Sequence, residues 1–190
     1  RLADYRDALR LFALPALAAV LVLSMLNLAV AGIQSSFLIV YFDKIGLSGT
    51  LIGVVLSTEA AAQALGALTA GPLLKIFRVS MLMIAGAALV VVSIMVTPLF
   101  ASFLPLLLVA AARGGVSGVV QPLMISQVSR SVDSTSQGRA IGLRATLNRV
   151  SHFALPVIMG VVVEGAGLEA SFFILGGAIL LTVVGVGFYM

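Results

Sequence analysis

Six apolar runs, each long enough to cross a bilayer and separated by short polar or Gly/Pro-marked breaks, limit what this chain can fold into. A spanning helix needs about 20 mainly apolar residues. The runs lie at residues 14–42, 50–74, 79–100, 104–128, 139–163 and 171–190. Together they predict a six-helix transmembrane bundle over 14–190, preceded by a charged, amphipathic lead-in at 1–13. Strands of a membrane barrel would alternate polar and apolar residues. These runs do not, so the expected fold class is an all-α membrane protein. Composition agrees: of 190 residues, 61% are hydrophobic and 9% charged, against about 25% charged in soluble domains. Such a chain has too little polar surface to cover a core in water. That excludes a water-soluble enzyme, a nucleic-acid-binding domain and a disordered tail.

The charges that remain are informative by position. Eleven basic residues against seven acidic ones leave a surplus of four, and there is no cysteine and one histidine. Two lysines far apart make no phosphate-binding patch, so no nucleic-acid partner is expected. Without cysteines or clustered carboxylates there is no metal-ligand set, and no cofactor is implied. With a cytoplasmic N-terminus, Arg1, Arg6, Arg10, Lys75, Arg78, Arg130, Arg139 and Arg144 share the inner side and Lys44 alone lies outside. By the positive-inside rule both termini are then cytoplasmic, and a bacterial-type cytoplasmic membrane is the expected location. The lead-in has no convincing cleavage site and reads as an ordinary juxtamembrane helix rather than a signal peptide.

Polar groups at membrane depth fall on four of the six spans. In the first, Ser24, Asn27, Ala31 and Gln34 recur on one helical face. The second has Glu59 and Gln63 one turn apart, followed by Gly66. The fourth has Arg113, Ser117 and Gln121 four residues apart, and the fifth repeats that spacing with Arg144, Asn148 and His152, with Arg149 alongside. The third and sixth carry nothing beyond Ser, Thr and the terminal Tyr189. A polar, polar, apolar order repeated twice predicts two three-helix repeats whose third helices face lipid. Three is odd, so the second repeat enters from the opposite side, as inverted repeats of secondary transporters do.

An ionisable group at the centre of a spanning helix costs about 2.5–3.5 kcal/mol on insertion scales. Glu59 and Arg113 each lie nine residues from the outer end of their runs, roughly 13 Å deep at the helical rise. Pairing Glu59 with Arg113 or Arg149 keeps such charges tolerable. Two readings stay open: an ion pair that only fixes helix packing, or a substrate or proton site. The candidate site residues are Glu59, Arg113, Arg149, His152, Asn27, Gln34, Gln63, Gln121 and Asn148. At membrane depth, Arg113 and Arg149 against Glu59 leave one positive charge, which favours an anionic or zwitterionic solute over a cation. Gly114 and Gly118, at GxxxG spacing, are expected to let helices approach closely.

The chain resembles one six-helix half of a major facilitator superfamily transporter, most closely the C-terminal half. Residues 32–56, GIQSSFLIVYFDKIGLSGTLIGVVL, resemble the end of that half's first helix and its outer turn. Residues 71–78, GPLLKIFR, resemble the family's cytoplasmic loop motif, with Lys75 where an acid is usual and Arg78 where a second glycine is usual. Residues 137–144, QGRAIGLR, are similar to the opening of a half's fifth helix, and Pro156, Gly160, Glu164, Gly167 and Phe172 continue the likeness. The resemblance implies half of a major-facilitator fold and transport of small organic solutes by alternating access, by proton-coupled efflux or uptake. It also implies a second six-helix half, from the same longer chain or another subunit. The alternative function is a non-transporting, major-facilitator-like scaffold subunit of a larger membrane complex. An enzyme is not expected: His152 and Ser151 diverge on a helix and form no triad, and no phosphate-cradling loop is present.

Overall fold

The computed structural model describes residues 15–134 and 136–188, with side chains described from Leu17 onward except at Gln34 and Ser35. The expected lead-in at 1–13, with Arg1, Arg6 and Arg10, lies outside the described residues, as do Tyr189 and Met190. The described residues form six helices long and apolar enough to cross a membrane, with no strand among them. They run Leu17–Lys44, Gly49–Leu74, Val79–Leu99, Phe103–Arg130, Gln137–Ala166 and Leu168–Gly187, here the first to sixth spans.

Local chemistry explains where the helices break. Gly46 takes a positive φ of 82° after the first span, a conformation that only glycine adopts at no steric cost. Ser48 then caps the second span, its Oγ accepting from Leu51 N at 3.4 Å. Gly167, at φ 84°, turns the fifth span directly into the sixth. The third span tightens into a 3-10 turn at Thr97–Leu99, beside Pro98. Within the first span, helix Pro15–Ile33 passes through a π-helical turn at Gln34–Leu38 before resuming as Ile39–Lys44. A π turn adds a residue to the helical circuit and re-aims every side chain beyond it.

The spans pair in a pattern that matches the repeat. The second packs most extensively on the fourth and the first on the fifth, while the third lies against the fourth and the sixth. Exchanging spans one, two and three for four, five and six turns the second–fourth pair into the fifth–first pair. Both pairs run parallel. Glu59 and Gln63 meet Gly114 and Gly118 in ascending order, and Ser24 meets Asn148 before Gly32 meets His152. Parallel neighbours taken from different repeats are what two inverted three-helix units produce.

The expectation that the third and sixth spans are the outermost does not describe burial within this unit. The first span is the most enclosed and the second and fifth the least; the third and sixth lie between. The reason is mutual packing, with Gly176 of the sixth span seated against Met95 of the third. Val90, Val91 and Ile94 of the third and Phe172 and Ile179 of the sixth are correspondingly buried.

Candidate functional site

The site is built on the second–fourth crossing. A Cβ placed on Gly114 would collide with the Glu59 carbonyl oxygen, one on Gly118 with that of Gln63, and one on Gly66 with that of Gly115. Only bare Cα atoms permit this backbone-on-backbone approach, and small residues give it the tight packing that substitutes for a hydrophobic drive inside a bilayer. Because residue 114 is locked to residue 59, Arg113 is delivered beside the Glu59 side chain.

There the arginine makes a fork. Its Nε donates to Glu59 Oε1 at 3.0 Å and its Nη2 to Oε2 at 2.6 Å. Planar guanidinium matches planar carboxylate in this bidentate form, which strengthens and orients both. The partners are not equally enclosed: the Arg113 side chain is 1% exposed and that of Glu59 18%. The carboxylate therefore stands in front and the guanidinium behind.

In front of Glu59 lies a cavity of about 380 Å³. Its polar lining comes from Asn27, Glu59, Gln63, Ser117 and Gln121, and its apolar lining from Ala31, Ile39, Leu56, Ala60 and Val90. That volume is within the range of small-molecule sites, which are mainly apolar with a few fixed polar groups. Asn27 is 7% exposed and its amide nitrogen has no hydrogen-bond partner. Behind the pair, between the third and fourth spans, is an apolar groove of about 210 Å³ that Arg113 and Val116 help to line.

Of the expected site residues, Asn27, Glu59, Gln63 and Gln121 meet at the cavity, and Arg113 reaches it only through Glu59. Asn148 works elsewhere: its Oδ1 accepts from Ser24 Oγ at 3.4 Å and ties the fifth span to the first. Arg149 and His152 are exposed and outside the cavity lining. The Gln34 side chain lies outside those described. Ile39, Leu56 and Val90 were not anticipated, because an apolar residue on an apolar span gives no signal of the face it occupies. The positive charge sum expected at membrane depth does not face this cavity. With Arg113 behind the pair and Arg149 outside, the charge that faces it among the described residues is a carboxylate.

Comparison with curated proteins returns no match. The family model described as Major Facilitator Superfamily matches residues 18–190, which takes in all six spans apart from Leu17. Six apolar helices paired as two repeats are one half of the architecture that this family of small-solute transporters uses. The chain is an integral membrane protein and belongs to the major facilitator superfamily.

Proposed function

We propose that this chain forms part of a secondary active transporter that moves a small organic solute by alternating access, with the Asn27–Glu59–Gln63–Ser117–Gln121 cavity as its binding site. The observation that carries the reading is a polar cavity set between membrane-spanning helices, beside an ion pair whose acid faces it. Ionisable groups inside a membrane protein are costly to keep, and they mark pathways for solutes or protons. Glu59 is the proton carrier in this reading. Protonation turns the ion pair into a contact between the Arg113 guanidinium and a neutral carboxyl and gives one oxygen lone pair to the proton, loosening the fork, so proton occupancy and the state of the pair are linked.

A second six-helix unit, from the same longer chain or from another subunit, supplies the facing wall. The resemblance to a C-terminal half accords with that arrangement. Both termini are cytoplasmic, in a bacterial-type cytoplasmic membrane, since Lys75, Arg78, Arg130 and Arg139 share one end of the bundle.

Solute flux measured in proteoliposomes, with and without an imposed proton gradient, tests the reading. The expected result is gradient-dependent flux that Glu59→Gln uncouples and that Ser117→Trp, which fills the cavity, abolishes. Flux unchanged in both variants removes the cavity from the mechanism. No flux of any solute favours a scaffold subunit.

A further inference from the structure

We infer that Arg149 and His152 of the fifth span receive a carboxylate side chain from the second six-helix unit, and that this unit is not a copy of the present one; the inference rests on the proposed second unit. Depth is the first observation. The fifth span, Gln137–Ala166, has 30 residues, and both side chains leave it within about 4 Å of its midpoint at the helical rise. That is too deep for the snorkelling that serves arginines near helix ends. Both residues are exposed, and neither side chain has a hydrogen bond or ion pair among the described residues.

The exposed side of this span is divided lengthwise. Val150, Phe153, Val157 and Val161 recur at helical spacing, each more than half exposed, and make a face that suits lipid. Gly142, Ala145, Arg149 and His152 recur on a second exposed face, about 100° further round the helix. A Cβ on Gly142 would meet nothing, so the inner end of that face is open. An arginine bared to lipid at mid-depth is costly, whereas polar residues beside small ones are the composition of a helix–helix contact in a membrane.

Charge then decides the chemistry of the partner. Arg149 is a permanent cation, and covering it with another helix leaves an uncompensated charge unless an anion meets it. A carboxylate fits the planar guanidinium in bidentate form, as Glu59 fits Arg113 within this unit. His152, one turn along, adds a ring N–H for the same group.

This chain has no such carboxylate to offer. Of its seven acids, only Glu59 lies at membrane depth; the other six precede the first span or stand at span ends and connections. Glu59 is already held by Arg113. A second copy of this unit would bring a further Arg149 and no acid to receive it, so the facing unit is a different one.

Cross-linking of the full protein in its native membranes tests the inference, with a membrane-permeant carbodiimide that joins a carboxylate to a touching amine. Arg149→Lys supplies the amine and keeps the charge. Arg113→Lys, whose acid is known, is the control for reaction at this depth and should join Glu59. The expected product joins the amine introduced by Arg149→Lys to an Asp or Glu from outside residues 1–190. Joining to an acid within 1–190, in the same chain or in a copy, overturns the inference, as does no product while the control reacts. Independently of cross-linking, Arg149→Leu should lower the melting temperature of the purified assembly, and changing the captured acid to its amide should restore it. Equal melting of Arg149→Leu and the unaltered protein overturns the pairing. If 3-phenylpropionate binds the unaltered protein calorimetrically, Arg149→Leu does not bind it and no product forms, the site belongs to a solute anion and the docking is overturned. Flux that Ser117→Trp abolishes, with no product from Arg149→Lys, overturns this inference and leaves the cavity reading in place. The expected product without flux of any solute does the reverse.

Discussion

Gly114 packs its bare Cα against the backbone carbonyl of Glu59, closely enough that no Cβ fits between them. The same acid, through its side chain, takes both guanidinium contacts from the neighbouring Arg113. Backbone crossing and ion pair are thus one construction, and each can be disturbed separately.

Gly114→Ala and Gly118→Ala should each destabilise the protein by about 1–3 kcal/mol, the usual range for overpacking a fitted contact. Gly115→Ala is the control, because a Cβ there meets nothing. Thermal unfolding in detergent should separate the two classes. Equal melting temperatures for Gly114→Ala and Gly115→Ala would show that the crossing is looser than described.

Breaking the buried pair from one side leaves an uncompensated charge, with a cost of about 3–5 kcal/mol. Glu59→Gln should therefore destabilise more than Glu59→Gln combined with Arg113→Met. A double-mutant cycle measures the coupling directly. Additive effects would rule out an energetic link between the two residues.

How much of this was legible in the sequence depends on the coordinate. Position along a span is readable: apolar length marks the helices, and equal depth brings Glu59 and Arg113 to the same level. Spacing of four residues also puts Glu59 with Gln63 and Ser117 with Gln121 on common faces, and all four line the cavity. Direction around a span relative to its neighbours is not readable. Arg149 and Arg113 were equivalent candidates because depth is blind to which way a helix is turned. Only the glycine crossing decides for Arg113. The π turn at Gln34–Leu38 adds a second blind spot, since a face traced through Asn27 and Ala31 at helical spacing does not continue past it.

Tyr41 joins the first span to the connection after the third, its one hydroxyl hydrogen shared between Pro98 O at 3.1 Å and Phe100 O at 3.0 Å. Tyr41→Phe should cost about 0.5–1.5 kcal/mol. It should also raise hydrogen exchange across Pro98–Ser102. Unchanged exchange there would mean that the hydroxyl does not hold this connection.

Lys44 and Glu169 also meet at this end of the bundle, at 2.9 Å, but both side chains are more than half exposed. Their separation by Lys44→Ala should change stability by less than about 1 kcal/mol, and the change should vanish in high salt. A larger, salt-independent loss would show that the contact is shielded from solvent.

Cysteines placed at Lys44 and at Ser134 lie at opposite ends of the bundle and should label from opposite sides of the membrane, Lys44 from outside. Accessibility from the same side would refute the proposed topology.

The glycine crossing also limits how the protein can change shape. Two backbones interlocked at successive turns resist sliding, because any axial slip drives a Cα into a carbonyl oxygen. The second and fourth spans therefore travel as a single beam, and Glu59 and Arg113 ride on it together. Any change in cavity volume within this unit falls to the opposite wall, formed by Asn27, Ala31 and Ile39 of the first span and Val90 of the third. The π turn of the first span lies between Ala31 and Ile39, so the parts of that wall before and after it follow helical registers offset by one residue.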